Sequence, residues 1–187
     1  MNEIRWHGRG GQGVVTAAKL LAAVGLKEGL HVQAFPEYGP ERRGAPVQAF
    51  TRIDRWPIRL FSHIINPDVV VVLDRTLVGK SPFTEGLKRD GVVIVNCAHS
   101  PEELREEIAL ESAHAFSVDA SRIAMEEIGR PIPNTPMLGA MVKATGILGA
   151  ESVIKEIREA FGKRMRPELV EANVRAFTRA FSEVAGD

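Results

Sequence analysis

The sequence predicts an α/β domain: a mostly parallel sheet flanked by helices, with a helical C-terminal third. Three observations predict it. The runs Val69–Leu73 and Val92–Cys97 are nearly all apolar and β-branched, as strands buried on both faces are. Strand and helix patterns alternate over the first two thirds of the chain, in the order βα, then β–β, then βαβαβ. Beyond these, Glu151–Phe161 and Glu168–Val184 carry apolar residues at helical spacing, among them Leu169, Val170, Val174, Phe177, Phe181 and Val184. The arrangement is Rossmann-like. No repeat, low-complexity segment or linker interrupts it, so residues 1–187 are expected to form a single domain.

Each element has its own signal. Glu3–His7 is a short strand that ends at a glycine cluster. Gln12–Lys27, rich in Ala, Leu and Val, is a helix with Gly29 just beyond its end. His31–Phe35 alternates and stops at Pro36, and Pro46–Ile53 is a third strand. Ser100-Pro101 starts a short helix over Glu102–Ile108, with serine as cap and proline at the first helical position. Ala115–Val118 is a last strand. Asp119 or Ser121 caps a helix that runs to Ile128 and is stopped by Gly129 and Pro131. Met137–Leu148 is helical, with Asn134 and Thr135 placed to cap it. Gly139, Ala140, Ala144, Gly146 and Gly149 leave its surface small, which predicts close packing against another element.

Composition narrows the function. The 24 basic and 24 acidic side chains cancel, so nothing favours nucleic acid or an anionic membrane. The longest apolar run, Val69–Leu73, is far too short to cross a bilayer. Met1–Trp6 lacks the apolar core of a secretory signal, so a cytoplasmic location is expected. Cys97 is the only cysteine, which excludes an intrachain disulfide and a self-contained thiolate cluster or zinc cage. The five histidines show no metal-ligand spacing.

Two loops carry chemistry. Gly8-Arg9-Gly10-Gly11-Gln12-Gly13, between the first strand and first helix, fits G-x-G-x-x-G. Glycines there let backbone N–H groups approach a phosphate at a helix N-terminus, and Arg9 adds a charged donor. A tight turn that binds nothing has the same pattern. No lysine follows in Walker fashion, and Glu37 stands where a ribose-binding acid of a dinucleotide enzyme would be. The second loop, Pro36 to Pro46, holds Tyr38, Glu41, Arg42, Arg43 and Gly44. Its paired guanidinium groups suit phosphate or carboxylate recognition, or else local pairing with the two glutamates. Asp74, ending the Val69–Leu73 run, either caps the following turn or faces a ligand.

Taken together, Gly8-Arg9-Gly10-Gly11-Gln12-Gly13, Tyr38-Gly39-Pro40-Glu41-Arg42-Arg43-Gly44, Asn134-Thr135-Pro136-Met137-Leu138-Gly139-Ala140, and a Lys…Asn…Ala-Phe ending with Asn173 and Phe177 resemble the gamma subunit of pyruvate and related 2-oxoacid:ferredoxin oxidoreductases. The likeness spans essentially the whole chain. It departs at Ala45-Pro46, where many members carry a second glycine.

The resemblance implies oxidative decarboxylation of a 2-oxoacid with coenzyme A, giving an acyl-CoA and carbon dioxide and reducing ferredoxin. It implies alpha, beta and delta partner subunits that hold thiamine diphosphate, magnesium and iron–sulfur clusters. This chain would hold none of these alone. Its two anion-suited loops are expected either to share coenzyme A, with Gly8, Arg9, Gly10, Gly11, Gln12, Gly13, Tyr38, Glu41, Arg42, Arg43, Gly44, Asn134 and Thr135 as the binding residues, or to pair instead with acidic groups on a partner subunit. The competing expectations are a stand-alone NAD(P)-binding oxidoreductase and a scaffold that binds no small molecule.

Overall fold

The computed structural model describes residues 1–37 and 44–187. The elements run β1 (Asn2–Arg9), α1 (Val14–Lys27), β2 (His31–Pro36), β3 (Pro46–Asp54), β4 (Val69–Val72), β5 (Val92–Asn96), α2 (Pro101–Glu107), β6 (His114–Val118), α3 (Ala120–Ile128), α4 (Asn134–Thr145), α5 (Ala150–Gly162), α6 (Pro167–Glu183) and β7 (Ala185–Gly186). The sheet order is β2-β3-β1-β4-β5-β6-β7. β1, β4, β5 and β6 pair in parallel, and β2 shares their direction because two antiparallel pairings separate it from β1. Five strands therefore run one way, and β3 and β7 run against them.

The core lies unequally on the two faces of the sheet. Ile4, Trp6, Val69, Val71 and Ile94 share one face with residues of α1, α3, α4, α5 and α6. Val70, Val72, Val93, Val95 and Ala115 share the other with α2's Leu104, Leu77 and Phe83. The flanking helices are present as expected, but only α2 contributes to this second cluster.

Local chemistry explains most boundaries. Ser100 and Glu103 form a capping box at α2: Glu103 N–H donates to Ser100 Oγ at 3.2 Å, and Ser100 N–H to Glu103 Oε2 at 2.8 Å. Asp119, not Ser121, caps α3, accepting from Arg122 N–H at 3.0 Å. Gly129 and Gly146 end α3 and α4 in the left-handed conformation.

Three expectations need correction. Gly8 and Arg9 belong to β1 rather than to the loop after it. Asn134 and Thr135 do not cap the late helix; they are its first two residues, after Pro133, with no side-chain cap. β6 is not the last strand, because β7 adds an antiparallel edge beside it. A two-residue strand has no periodicity to read, and β7 is held in part by Asp187, whose Oδ1 accepts from Ala115 N–H at 2.9 Å.

Candidate functional site

The glycine loop lies at the carboxyl ends of β1 and β4, the edge where open α/β sheets bind ligands. Gly11 and Gly13 have φ of 97° and 77°, which side-chain-bearing residues rarely adopt. Gly8 must be small for another reason: a Cβ there would sit 2.6 Å from Val14 Cγ2 and 3.2 Å from Leu73 Cβ. The loop is pinned by Gly10 N–H to Ala45 O at 3.0 Å and Gln12 N–H to Arg9 O at 3.1 Å. Among the described residues, the amides of Gly11 and Gly13 have no protein acceptor, and no side chain caps α1. The start of α1 thus offers unpaired donors to an anion.

Gln12 ties the loop to β4. Its Oε1 accepts from Arg9 N–H at 2.7 Å, and its Nε2 donates to Asp74 Oδ2 at 2.6 Å. Asp74 Oδ1 accepts from Thr76 N–H at 2.8 Å and Thr76 Oγ1 at 2.6 Å, so Asp74 caps the turn after β4. Burial opposes ionisation of Asp74. The bonds from Thr76 and Gln12 and the charge of Arg9 outweigh that and hold its carboxyl below the ordinary carboxylate value. Arg9 is largely committed: Nε and Nη2 donate to Thr76 Oγ1 at 3.0 and 2.8 Å, Nη1 donates to Gly44 O at 3.0 Å, and Nε lies 3.4 Å from Asp74 Oδ2. Its role in the described residues is to brace the loop.

Beside Asp74 a cleft of about 320 Å³ is lined by Gln12, Asp74, Arg75, Asn96, Asp119 and Ser121, among others. Asn96 holds its wall, donating to Leu73 O and Ser121 Oγ, each at 2.8 Å, and accepting from Ser121 N–H at 3.1 Å. Thr76 and Asn96 were not anticipated from sequence. Signals existed: a threonine two residues after Asp74 is a turn-capping pattern, and Asn96 is the polar end of an apolar strand.

The late motif joins this site. Asn134 abuts the glycine loop so closely that a Cβ on Gly13 would lie within 2.7 to 2.9 Å of Asn134 Nδ2, Cγ and Cβ. Thr135, fully buried, donates to Asn173 Oδ1 at 2.9 Å, while Asn173 Nδ2 donates to Leu169 O at 2.8 Å. Two sequence motifs are thereby one contact between α4 and α6. Thr135→Val is expected to lower stability by about 1–3 kcal/mol, since it keeps shape but leaves a buried amide oxygen unpaired. Urea unfolding of the purified chain checks it. Tyr38, Glu41, Arg42 and Arg43 lie outside the described residues.

Burial, then the charge of Arg5, depresses His7 to about 3, leaving it neutral. Burial pushes the Cys97 thiol up. One buried thiol does not supply the ligands of an iron–sulfur cluster, and no group of three metal-ligating side chains occurs among the described residues. Glu37 does not sit where a ribose-binding acid belongs. β3 separates β2 from β1, so the end of β2 is two strand spacings, roughly 10 Å, from β1.

Fold and site together define a Rossmann-like α/β protein with a phosphate-suited glycine turn. The family profile described as pyruvate ferredoxin/flavodoxin oxidoreductase matches residues 3–183. The chain is 52% identical over 183 residues to the pyruvate/ketoisovalerate oxidoreductases common subunit gamma of Pyrococcus abyssi, covering 98% of this chain and 97% of that one. It is 49% identical over 182 residues to pyruvate synthase subunit PorC of Thermotoga maritima, covering 97% and 94%. The crystal structure of the Thermotoga maritima pyruvate oxidoreductase subunit PORC superposes with a TM-score of 0.88 at 45% identity, covering 100% of this chain and 98% of that one. The chain belongs to the pyruvate ferredoxin/flavodoxin oxidoreductase family, as a gamma subunit. The stand-alone NAD(P) oxidoreductase is not supported.

Proposed function

We propose that this chain is the non-catalytic gamma subunit of a pyruvate (2-oxoacid):ferredoxin oxidoreductase. The enzyme converts a 2-oxoacid and coenzyme A to acyl-CoA and carbon dioxide and passes two electrons to ferredoxin. The observation that carries this reading is the match to pyruvate synthase and pyruvate/ketoisovalerate oxidoreductase subunits along almost the whole length of both chains. The partners are alpha, beta and delta subunits, which hold thiamine diphosphate, magnesium and the clusters, and the complex works in the cytoplasm. No described helix is long and apolar enough to cross a membrane.

This subunit's own contribution is to coenzyme A. The amides of Gly11 and Gly13, unpaired among the described residues, and the uncapped start of α1 suit a phosphate, and Arg42 and Arg43 add positive charge in the sequence between β2 and β3. A 2-oxoglutarate:ferredoxin oxidoreductase from Magnetococcus marinus has been solved with coenzyme A and succinyl-CoA bound. The chain matches 30% of it with a TM-score of 0.77, but at 20% identity that likeness gives the fold alone. Replacing Arg42 and Arg43 by alanine in the assembled enzyme is expected to raise the KM for coenzyme A about tenfold and leave the KM for the 2-oxoacid unchanged, as the loss of one charge-assisted phosphate contact would. An unchanged coenzyme A KM sinks this role. If the double variant instead fails to assemble, the loop is a subunit contact.

A further inference from the structure

We propose that residues 55–66, on the sheet face opposite the main helical layer, are the seat of a partner subunit with an apolar centre and an acidic rim. The proposal rests on the gamma-subunit reading and deepens it by naming the surface.

The strongest sign is exposed apolar area. Phe61 is 92% exposed, Trp56 76% and Ile65 71%, with Leu60 also exposed. These four are half of the eight large apolar side chains exposed among the described residues, and they fall within ten consecutive positions. Apolar groups scattered singly need no explanation, but a cluster of this kind marks an interaction surface.

The fold explains why the cluster is here. Gln33, Phe35, Phe50 and Arg52 occupy the face of β2 and β3 turned away from the core that holds Ala49 and Ile53. What lies against them is the irregular segment after β3. His63 stacks on Phe50 and Phe35 at centroid distances of 5.2 and 6.3 Å, and Gln33 Nε2 donates to Leu60 O at 2.9 Å. Those contacts fasten the backbone of the segment while Trp56, Phe61 and Ile65 stay in water. A rigid platform presenting aromatic side chains binds with less ordering cost than a loose loop.

The chemistry of the partner follows from the surroundings. Arg55 and Arg59 are exposed within the same segment, and neither has an ion pair among the described residues. Ile65 also lines a cleft of about 540 Å³ with Phe50, His63 and the buried Arg5. Arg5 spends Nη2 on the carbonyls of Phe83 and Glu85 and has no carboxylate within ion-pair distance among the described residues. Glu37 and Glu85 line that cleft too, so its charge is mixed, and the net positive charge beside the apolar cluster is that of Arg55 and Arg59. An apolar surface edged by guanidinium groups suits an apolar surface edged by carboxylates. A second copy of this chain would bring the same Arg55 and Arg59 to both sides of the contact, which favours a different subunit.

The test co-expresses the full chain with its partner subunits and compares the wild type with Phe61→Asp, Trp56→Asp and, as a control at an exposed apolar site elsewhere, Leu26→Asp. Amide hydrogen exchange of residues 54–66 is measured in the free and assembled wild-type chain. Expected are a loss of association of about tenfold or more for Phe61→Asp and Trp56→Asp, none for Leu26→Asp, and slowed exchange of 54–66 on assembly. A wild-type complex that forms with exchange of 54–66 unchanged overturns the proposal and leaves the gamma-subunit reading intact, whether or not the variants fold. A free chain that is dimeric through this segment, and monomeric as Phe61→Asp, also overturns it. If the wild type forms no complex, both readings fall.

Discussion

Gly139→Ala is expected to destabilise the protein by about 1–3 kcal/mol, the range for forcing extra volume into a packed interior. The sign is what makes the result informative. In an open helix the same change removes backbone freedom from the unfolded chain and stabilises by roughly 1 kcal/mol. At position 139 a Cβ would lie 2.3 Å from the carbonyl oxygen of Phe177 and 3.1 Å from its carbon. Both are backbone atoms of α6, so no side chain can swing away to make room. α4 would have to lift from α6 and separate Met137, Leu138 and Met141 from Ala176, Phe177 and Ala180, all buried in one cluster. Larger side chains at 139 are expected to cost more. Gly162, in α5, supplies the control: it has open space where a Cβ would go and no positive φ, so Gly162→Ala should be neutral or stabilising. Urea unfolding of the three proteins checks the pair, and a Gly139→Ala variant with a raised midpoint would refute the close approach.

The small residues of α4 also show what a sequence can disclose. Gly139 inside a helical run predicted close packing, and packing is what α6 provides, but the run did not say which element would come near. Periodicity and caps report local structure, so Val69–Leu73, Val92–Cys97, Ser100-Pro101 and Gly129 marked their elements to within a residue or two. Order across the sheet depends on contacts distant in sequence. The insertion of β3 between β2 and β1 was not legible, and that insertion separates Glu37 from the glycine loop. The same limit held at the site. Glycine spacing located the turn, but the bracing of Arg9 was not legible because its partners, Asp74 and Thr76, lie more than sixty residues away. Asn134 was read as a cap for the same reason: its closeness to Gly13 is a tertiary fact.

Acid is expected to weaken the fold through His7, and His7→Gln to remove that part of the response. His7 is buried on β1, where its Nε2 accepts from Arg5 Nε at 3.1 Å, so the neutral ring carries its proton on Nδ1. Burial first, and the Arg5 charge second, lower its pKa from 6.5 to about 3 in the folded chain. Above pH 6.5 the ring is neutral folded or unfolded, and it contributes no pH dependence. As pH falls below 6.5 the unfolded chain takes up the proton and the folded chain does not, so stability drops until the folded pKa near 3 is reached. The slope for one such group is roughly 1.4 kcal/mol per pH unit. Glutamine keeps an acceptor for Arg5 but cannot titrate. Urea midpoints of the wild type and His7→Gln, measured from pH 7.5 to 4.5, should run parallel above about pH 6.5 and converge or cross below it, with the wild type falling more steeply. Parallel lines over the whole range would mean that His7 takes up its proton at the same pH folded and unfolded, and that Arg5 is not its donor.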